Sequence, residues 1–362
     1  MRGLLETIAF NGAVYYEKNG QIKQYFHGYQ ELEKKHLINK NTQFNLASLS
    51  KMFTAVMTFQ LIEKGQLQLE DKITCWFNVP YFTEVTVAEL LTHTSGIPEY
   101  ITDDLTISVE TFIEGVLPQN TSNEHWSYSN TNYVLLAKII EKVSGLSYET
   151  YLQQYIAEPL NLTHMTTQPI KQSVAQGQTF NYEKQQYKNV LDDPYLHEIE
   201  KYNDQYGDGG IYATVAEVAK FLKAFWQGQY ISKEIVQFML TPTEVTNNYS
   251  YGFIIQNEWV GHTGGWLGCS AQAFINISTG EVIVLATNQE VFPQYEQEIM
   301  NYLMGIQYAV EAPKYVMTLP LTIKDDITGC YELADGLGTR FTIKKDVQFM
   351  ISFEHQLSVP LF

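Results

Sequence analysis

The chain has 362 residues, 45% hydrophobic and 17% charged, which supplies a sizeable core and excludes a disordered polymer. Lys and Arg number 23 against 40 Asp and Glu, a formal charge of -17, and so acidic a surface argues against nucleic acid and membrane-surface partners. Arg2 and Arg340 are the only arginines, leaving almost no material for a bidentate phosphate clamp.

The opening residues, MRGLLETIAFNGAVYY, lack a charged n-region, a long apolar stretch and a small-residue cleavage site. They read as the start of a folded strand in a cytoplasmic protein, with export open if a leader has been removed. Ile8 to Tyr29 alternates apolar and polar residues about Asn19-Gly20, which predicts a two-stranded hairpin with a tight turn. From Ser48 to Lys64, within NLASLSKMFTAVMTFQLIEKG, there is no Gly or Pro and nearly every side is apolar. That pattern predicts a buried helix, with Gly65 as its C-cap. A serine and a lysine at its amino end stand out. The middle of the chain, from about Val85 to Phe238, predicts helices over Val85 to Leu91, Tyr133 to Val143, Tyr148 to Ile156 and Val215 to Trp226. Gln168 to Asp208 reads as a long polar, Tyr-rich connection.

Beyond Tyr249 the period becomes strand-like: YGFIIQ, then CSAQAFINI and EVIVLATN joined across Ser278-Thr279-Gly280. Gln294 to Met304 predicts a closing helix, and from Ala312 short β-like pieces follow (YVMTLPL, GCYEL, TRFTIKK, QFMISF). Strands, a helical middle and returning strands predict an α+β fold, with a core sheet and an inserted, mostly helical region. Residues 1–311 would form the main domain and 312–362 a small β-rich extension. No apolar run of about 18 residues occurs, so no membrane-spanning helix is expected. Cys75, Cys269 and Cys330 are odd in number and far apart, which predicts three buried free thiols in a reducing compartment rather than a disulfide framework. Paired Cys or His-x-x-x-His spacings are absent, so neither a metal nor another cofactor is expected.

Ser48-Leu49-Ser50-Lys51 is the first candidate for chemistry. Residues i and i+3 share a helix face, so Lys51 projects beside Ser48 at a helix start whose N–H groups favour negative charge. A lysine desolvated by apolar surroundings can accept a hydroxyl proton near neutral pH. Sixteen serines and twenty-one lysines make about one such spacing expected by chance, so the motif alone is weak. Tyr128-Ser129-Asn130 directly precedes the helix from Tyr133. Gly261-His262-Thr263-Gly264-Gly265 falls between strand-like segments, where glycine marks close backbone approach.

Together, in this order, the three motifs resemble the serine β-lactamase and penicillin-binding-protein superfamily, and within it the class C β-lactamase, DD-peptidase and family VIII esterase branch. NLASLSKMFTAVMTFQLIEKGQLQLEDKI, ELLTHTSGIPEY, WSYSNTNYVLLAKIIEKVSG and GDGGIYATVAEVAKF are similar to that branch in wording and order, over roughly residues 8 to 310. The resemblance implies a central antiparallel sheet flanked by helices, and a serine hydrolase working through an acyl-enzyme. Its substrates would be small esters or amides, D-amino-acid peptides or β-lactams. Ser48 would be the acylated nucleophile, Lys51 would assist its deprotonation, and Tyr128 would shuttle protons. Asn130, His262 and Thr263 would bind substrate, and the N–H groups of Ser48 and Gly265 would form the oxyanion hole. The acylation base is disputed among related enzymes, so it is not assigned to Lys51 alone. Many β-lactamases of the superfamily carry Lys where this chain has His262. An unperturbed imidazole titrates near about 6.5, which implies weaker, pH-dependent recognition of a substrate carboxylate. The alternative is a penicillin-binding or sensor-like protein that acylates with β-lactams but turns over slowly.

Other residues carry plainer expectations. His93, in LLTHTSGIP, is expected to bond backbone at a helix-to-loop corner, and His125 to face solvent. Tyr182, Tyr187, Tyr195, Tyr202 and Tyr206 read as ordinary packing, Asp208 as a turn former, and Ser50 as lying outside the site. No Gly-x-Ser-x-Gly elbow occurs, which disfavours an α/β-hydrolase.

Overall fold

Asn19 and Gly20 take positive φ angles of +51° and +74° and turn strand β1 (Gly12–Lys18) back into β2 (Gln21–His27), as the Asn-Gly pair predicts. The computed structural model describes residues 10–304 apart from 34, 101–107, 117–124, 182–185, 203–204, 247 and 290–292, together with four strands between 329 and 360. β3 (Phe44–Asn45) pairs with β6 (Tyr212–Ala213), and β4 (Gln178–Asn181) with β5 (Gln186–Asn189). The remaining strands of this part are β7 (Tyr249–Ser250), β8 (Phe253–Gln256), β9 (Trp259–Trp266), β10 (Cys269–Asn276) and β11 (Val282–Thr287). They join the opening hairpin in a seven-stranded antiparallel sheet ordered β2-β1-β11-β10-β9-β8-β7. β1 registers Gly12 against Thr287 and Glu17 against Val282. The late strands therefore do return to the first pair.

The helices are α1 (Ser50–Glu63), α2 (Val87–Thr92), α3 (Val109–Gly115), α4 (Asn130–Ser144), α5 (Tyr148–Leu152), α6 (Pro194–Tyr202), α7 (Val215–Trp226), α8 (Lys233–Met239) and α9 (Pro293–Met304). Successive strand residues point to opposite faces, and the sheet uses both. Ala13, Tyr15, Val282, Val284 and Ala286 join a large core with residues of α1 and α7. Val14, Ile283 and Leu285 turn the other way onto Ile299, Met300 and Leu303 of α9. The result is a helix–sheet–helix sandwich of the expected α+β class. Every residue of α1 from Ser50 to Leu61 is buried, which is what an all-round apolar helix requires. The chain leaves it through Gly65 at φ +68°, and α2 and α7 open with Thr86/Glu89 and Thr214/Glu217 capping boxes.

The segment from Gln168 to Asp208 is more ordered than a polar connection. It contains the β4–β5 hairpin and α6, which begins at Pro194, a residue whose fixed φ suits a first helical position. Strands of four residues with polar composition leave too little periodicity to detect. Tyr187 packs on Phe180 at 5.2 Å and Tyr206 on Tyr148 at 5.5 Å between ring centroids. These two are ordinary packing tyrosines; Tyr182 lies outside the described residues, and nothing is described of the Tyr195 and Tyr202 side chains. Three of the expected late β segments appear as β12 (Gly329–Glu332), β13 (Arg340–Lys345) and β14 (Phe349–Phe353), which with β15 (Val359–Pro360) form a separate four-stranded sheet. YVMTLPL and the 311/312 boundary lie outside the described residues. Among the described residues Cys75 and Cys269 are free thiols; Cys269 is buried as expected, but Cys75, at the end of a short 3-10 turn, is exposed, and no helix is long and apolar enough to cross a membrane.

Candidate active site

Ser48 sits in a single 3-10 turn, Ala47–Leu49, between β3 and α1, one step outside the helix that the sequence predicts for it. Ala47 is the cause. Its φ is +46°, a left-handed conformation that costs a Cβ-bearing residue about 1–2 kcal/mol and is held here because the Asn45 side-chain oxygen accepts the Ala47 N–H at 2.8 Å. Strain of this kind concentrates at functional sites. The bend leaves Ser48 half-buried while Lys51, three residues on, is fully buried.

Lys51 Nζ makes three contacts: Ser48 Oγ at 3.0 Å, Asn130 Oδ1 at 2.7 Å and the Asp208 carbonyl oxygen at 2.7 Å. It also lies 5.0 Å from the Tyr128 ring centroid and 5.7 Å from that of Tyr133. An ammonium satisfies this geometry by donating three bonds. A neutral amine satisfies it equally, donating to Asn130 and Asp208 and accepting the Ser48 hydroxyl proton on its lone pair. The same three neighbours thus serve both sides of a proton transfer without rearrangement. Asn130 cannot present its other end, because Glu99 Oε2 accepts from both the Asn130 backbone N–H at 3.0 Å and its Nδ2 at 2.8 Å. The Asp208 carboxyl is buried, which raises its pKa; the Lys51 charge and backbone N–H groups, including that of Tyr206, oppose the shift.

The opposite wall is β9, whose side chains alternate. His262 is buried and Thr263 is exposed. A Cβ on Gly264 would fall 2.5 Å from the Leu46 carbonyl and 2.8 Å from the Ser48 nitrogen, whereas one on Gly265 would meet nothing closer than 3.9 Å. Gly264 is therefore the glycine that the close approach requires, and Gly265, the next residue along, is exposed. His262 donates from Nδ1 to the Thr263 carbonyl, and its Nε2 lies 3.4 Å from the Tyr249 hydroxyl. Burial, and secondarily the Lys51 charge, push its pKa down to about 3. The near-neutral titration expected of an unperturbed imidazole is thus absent, and His262 is a neutral, inward-packed part of the wall with no positive charge to offer a substrate carboxylate.

The structure brings Ser48, Lys51 and Asn130 into one hydrogen-bonded group, sets the Tyr128 ring beside Lys51, and lays the Gly264 backbone against Ser48. Ser50 faces away, its Oγ accepting the Ile211 N–H at 3.2 Å, and His125 is exposed. His93 bonds backbone as expected: its Nδ1 accepts the Ser129 N–H at 3.2 Å. Glu99 and the Asp208 carbonyl were not legible as site components. A main-chain oxygen leaves no residue-type signature, and Glu99 in SGIPEY becomes informative only once Asn130 is seen beside it. Glu200 was likewise hidden; its carboxylate accepts from Trp266 Nε1 at 3.3 Å, tying α6 to the end of β9.

Comparison with known proteins agrees with this geometry. The Beta-lactamase family model matches residues 1–303. Over its whole length the chain is 32% identical to penicillin-binding protein 4* of Bacillus subtilis, covering 89% of that protein. It is 26% identical to a teichoic acid D-alanine hydrolase of Staphylococcus aureus, over 78% of this chain and 72% of the relative. The crystal structure of FmtA from Staphylococcus aureus superposes with a TM-score of 0.72 at 26% identity, covering 86% of this chain and 91% of the other. With motif order, sheet topology and family model in accord, the chain belongs to the Beta-lactamase family and is a serine hydrolase.

Proposed function

We propose that Ser48 is acylated by small esters or amides of D-amino acids, with Lys51 and Tyr128 moving the protons. The observation that carries this is the three-way contact of Lys51 with Ser48, Asn130 and the Asp208 carbonyl, which suits proton acceptance without rearrangement. Ser48 Oγ attacks the acyl carbon as its proton passes to the Lys51 amine. The N–H groups of Ser48 and Gly265 meet the oxyanion. Tyr128 returns a proton to the departing alcohol or amine, and water then cleaves the ester on Ser48 by the same route in reverse. Asn130, His262 and Thr263 line the substrate's path, His262 through packing and not through charge. The half-buried Glu99 carboxylate beside Asn130 and the uncharged His262 favour a free amino group over a free carboxylate on the substrate. A relative that is named a teichoic acid D-alanine hydrolase supports the D-aminoacyl choice. For organisation, we place the hydrolase domain at 1–311 and a β-rich extension at 312–362; the extent of the family match and the separate hydrogen bonding of the late sheet support that division.

The test is a panel of D-alanyl esters, D-amino-acid amides, D-Ala-D-Ala peptides and nitrocefin, run on the wild type and Ser48→Ala. Turnover and fluorophosphonate labelling should both vanish in the variant, and activity that survived would refute the nucleophile. A second possibility is slow β-lactam acylation, favoured by the 32% likeness to a penicillin-binding protein. Mass spectrometry after a penicillin soak distinguishes the two: a lasting adduct with negligible turnover supports the second, fast release the first.

A further inference from the structure

His93 ends α2 in the left-handed conformation, at φ +58°, and from there grips the chain on both sides of Tyr128. Its carbonyl oxygen accepts the Ser127 N–H at 2.9 Å, and its Nδ1 accepts the Ser129 N–H at 3.2 Å. Between those two bonds its ring lies against the Tyr128 ring, with centroids 4.3 Å apart and planes 32° from parallel. Asn132, whose Oδ1 is engaged by Ser95 at 2.7 Å, turns its Nδ2 to the same His93 nitrogen at 3.2 Å. We propose that His93 is a positioning residue that fixes Tyr128 over Lys51, by strapping the backbone on either side of it and backing its ring.

The chemistry explains why this position holds a histidine. The strap needs an acceptor at the δ position, and the backing needs a flat ring; histidine alone among the side chains joins a ring to a bare δ acceptor. Accepting the Ser129 N–H with Nδ1 leaves the ring proton on Nε2, which is buried and has no hydrogen-bond partner among the described residues. A fully buried donor left unpaired is uncommon and calls for a reason. Phenylalanine would remove that penalty but forfeit the strap, and asparagine would keep the strap but forfeit the ring. Burial first, then the Lys51 charge, hold the imidazole in its neutral form, the form able to accept at Nδ1. The rest of its cage is aromatic: Tyr133 at 5.1 Å, Tyr249 at 5.0 Å and Trp126 at 6.2 Å between centroids.

Because Tyr128 is taken to move protons, as proposed above, the experiment must separate that role from the action of His93. Asparagine tolerates the left-handed conformation, and its Oδ1 sits where the histidine carries Nδ1, so His93→Asn removes the ring face and keeps the acceptor; His93→Gly removes both. Each is made alone and with Tyr128→Phe, and read by the fluorophosphonate labelling rate, by kcat and KM on a short-chain p-nitrophenyl ester, and by thermal midpoint. Expected is a loss of about tenfold in kcat and labelling rate for His93→Asn and about a hundredfold for His93→Gly, with KM within threefold. In the Tyr128→Phe background neither should add a further loss beyond about twofold. Losses that multiply fully with Tyr128→Phe, or a fall in thermal midpoint with kcat and labelling unchanged, would overturn the proposal. If Tyr128→Phe alone leaves kcat intact, the Tyr128 role itself is wrong and His93 has nothing to position. Should His93→Gly not fold, His93→Asn carries the test by itself.

Discussion

Replacing Lys51 by methionine tests the central contact most directly. Methionine has nearly the same length and suits the buried, apolar surroundings of α1, so the substitution removes charge and proton affinity with little change in shape. Three acceptors lose their donor. Ser48 and Asn130 are half-buried and can turn toward water, but the Asp208 carbonyl is sealed in and stays unpaired, at a cost of about 1–3 kcal/mol. Against that stands the relief of a desolvated ammonium, a gain of comparable size when a buried charge gives way to an apolar side chain. Folding stability should therefore change by no more than about 3 kcal/mol. Acylation should fall by about 10²–10⁴-fold, the range for a lost general acid–base group. The measurement is the second-order rate of fluorophosphonate labelling beside a calorimetric thermal midpoint on the same preparation. A variant that still labels within tenfold of the wild-type rate would refute proton transfer through Lys51. The same protein reports on Asp208, whose carboxyl pKa is raised by burial and held back by the Lys51 charge. A raised folded-state pKa favours the fold at low pH, and that benefit is lost as pH rises through the folded value. Without Lys51 the decline should extend to higher pH, seen as a thermal midpoint that is best on the acid side relative to wild type.

Glu99→Gln exchanges the carboxylate that orients Asn130 for a neutral amide; kcat/KM should fall about 10- to 100-fold, the worth of charge-assisted bonds, and amine-bearing substrates should lose more than neutral esters. Gly264→Ala forces a methyl group to 2.8 Å from the Ser48 nitrogen and should slow acylation at least tenfold while destabilising by about 1–3 kcal/mol. Gly265→Ala, whose Cβ would meet the Cys269 carbonyl at an ordinary contact distance of 3.9 Å, should leave the thermal midpoint within a degree or two. His262, depressed from 6.5 to about 3, stays neutral in the fold while the unfolded chain takes up a proton. Its contribution to stability is complete above about pH 6.5 and is lost as pH falls toward about 3, so His262→Gln should soften the acid limb of the thermal midpoint and leave the kcat/KM profile between about pH 6 and 8 unchanged in shape.

The opening hairpin, the buried first helix and the returning strands were legible because their causes are local: a turn dipeptide with positive φ, an unbroken apolar stretch, a period of two. Ser48, Lys51 and Asn130 were legible through the wording and order of their motifs, and the structure closes the Lys51–Asn130 bond across 79 residues. What stayed hidden depends on distance in three dimensions. That His262 is neutral follows from burial beside Lys51 and not from its residue type. Ala47 carries no mark of the bend it adopts, since alanine ordinarily avoids a left-handed φ. The β4–β5 hairpin was missed because four polar residues a side give no amphipathic signal.

The pairing of β1 with β11 also has a consequence for how the enzyme comes into being. On the ribosome the segment bearing Ser48 emerges well before the strand that carries Gly264 and Gly265. A nascent chain therefore carries the proposed nucleophile with no wall behind it until β9 has been made, and the site is complete only after the opening hairpin has paired with the late strands in the interior of the sheet. Catalytic competence then marks the last step of assembly, so recovered turnover after refolding should lag behind recovered helicity.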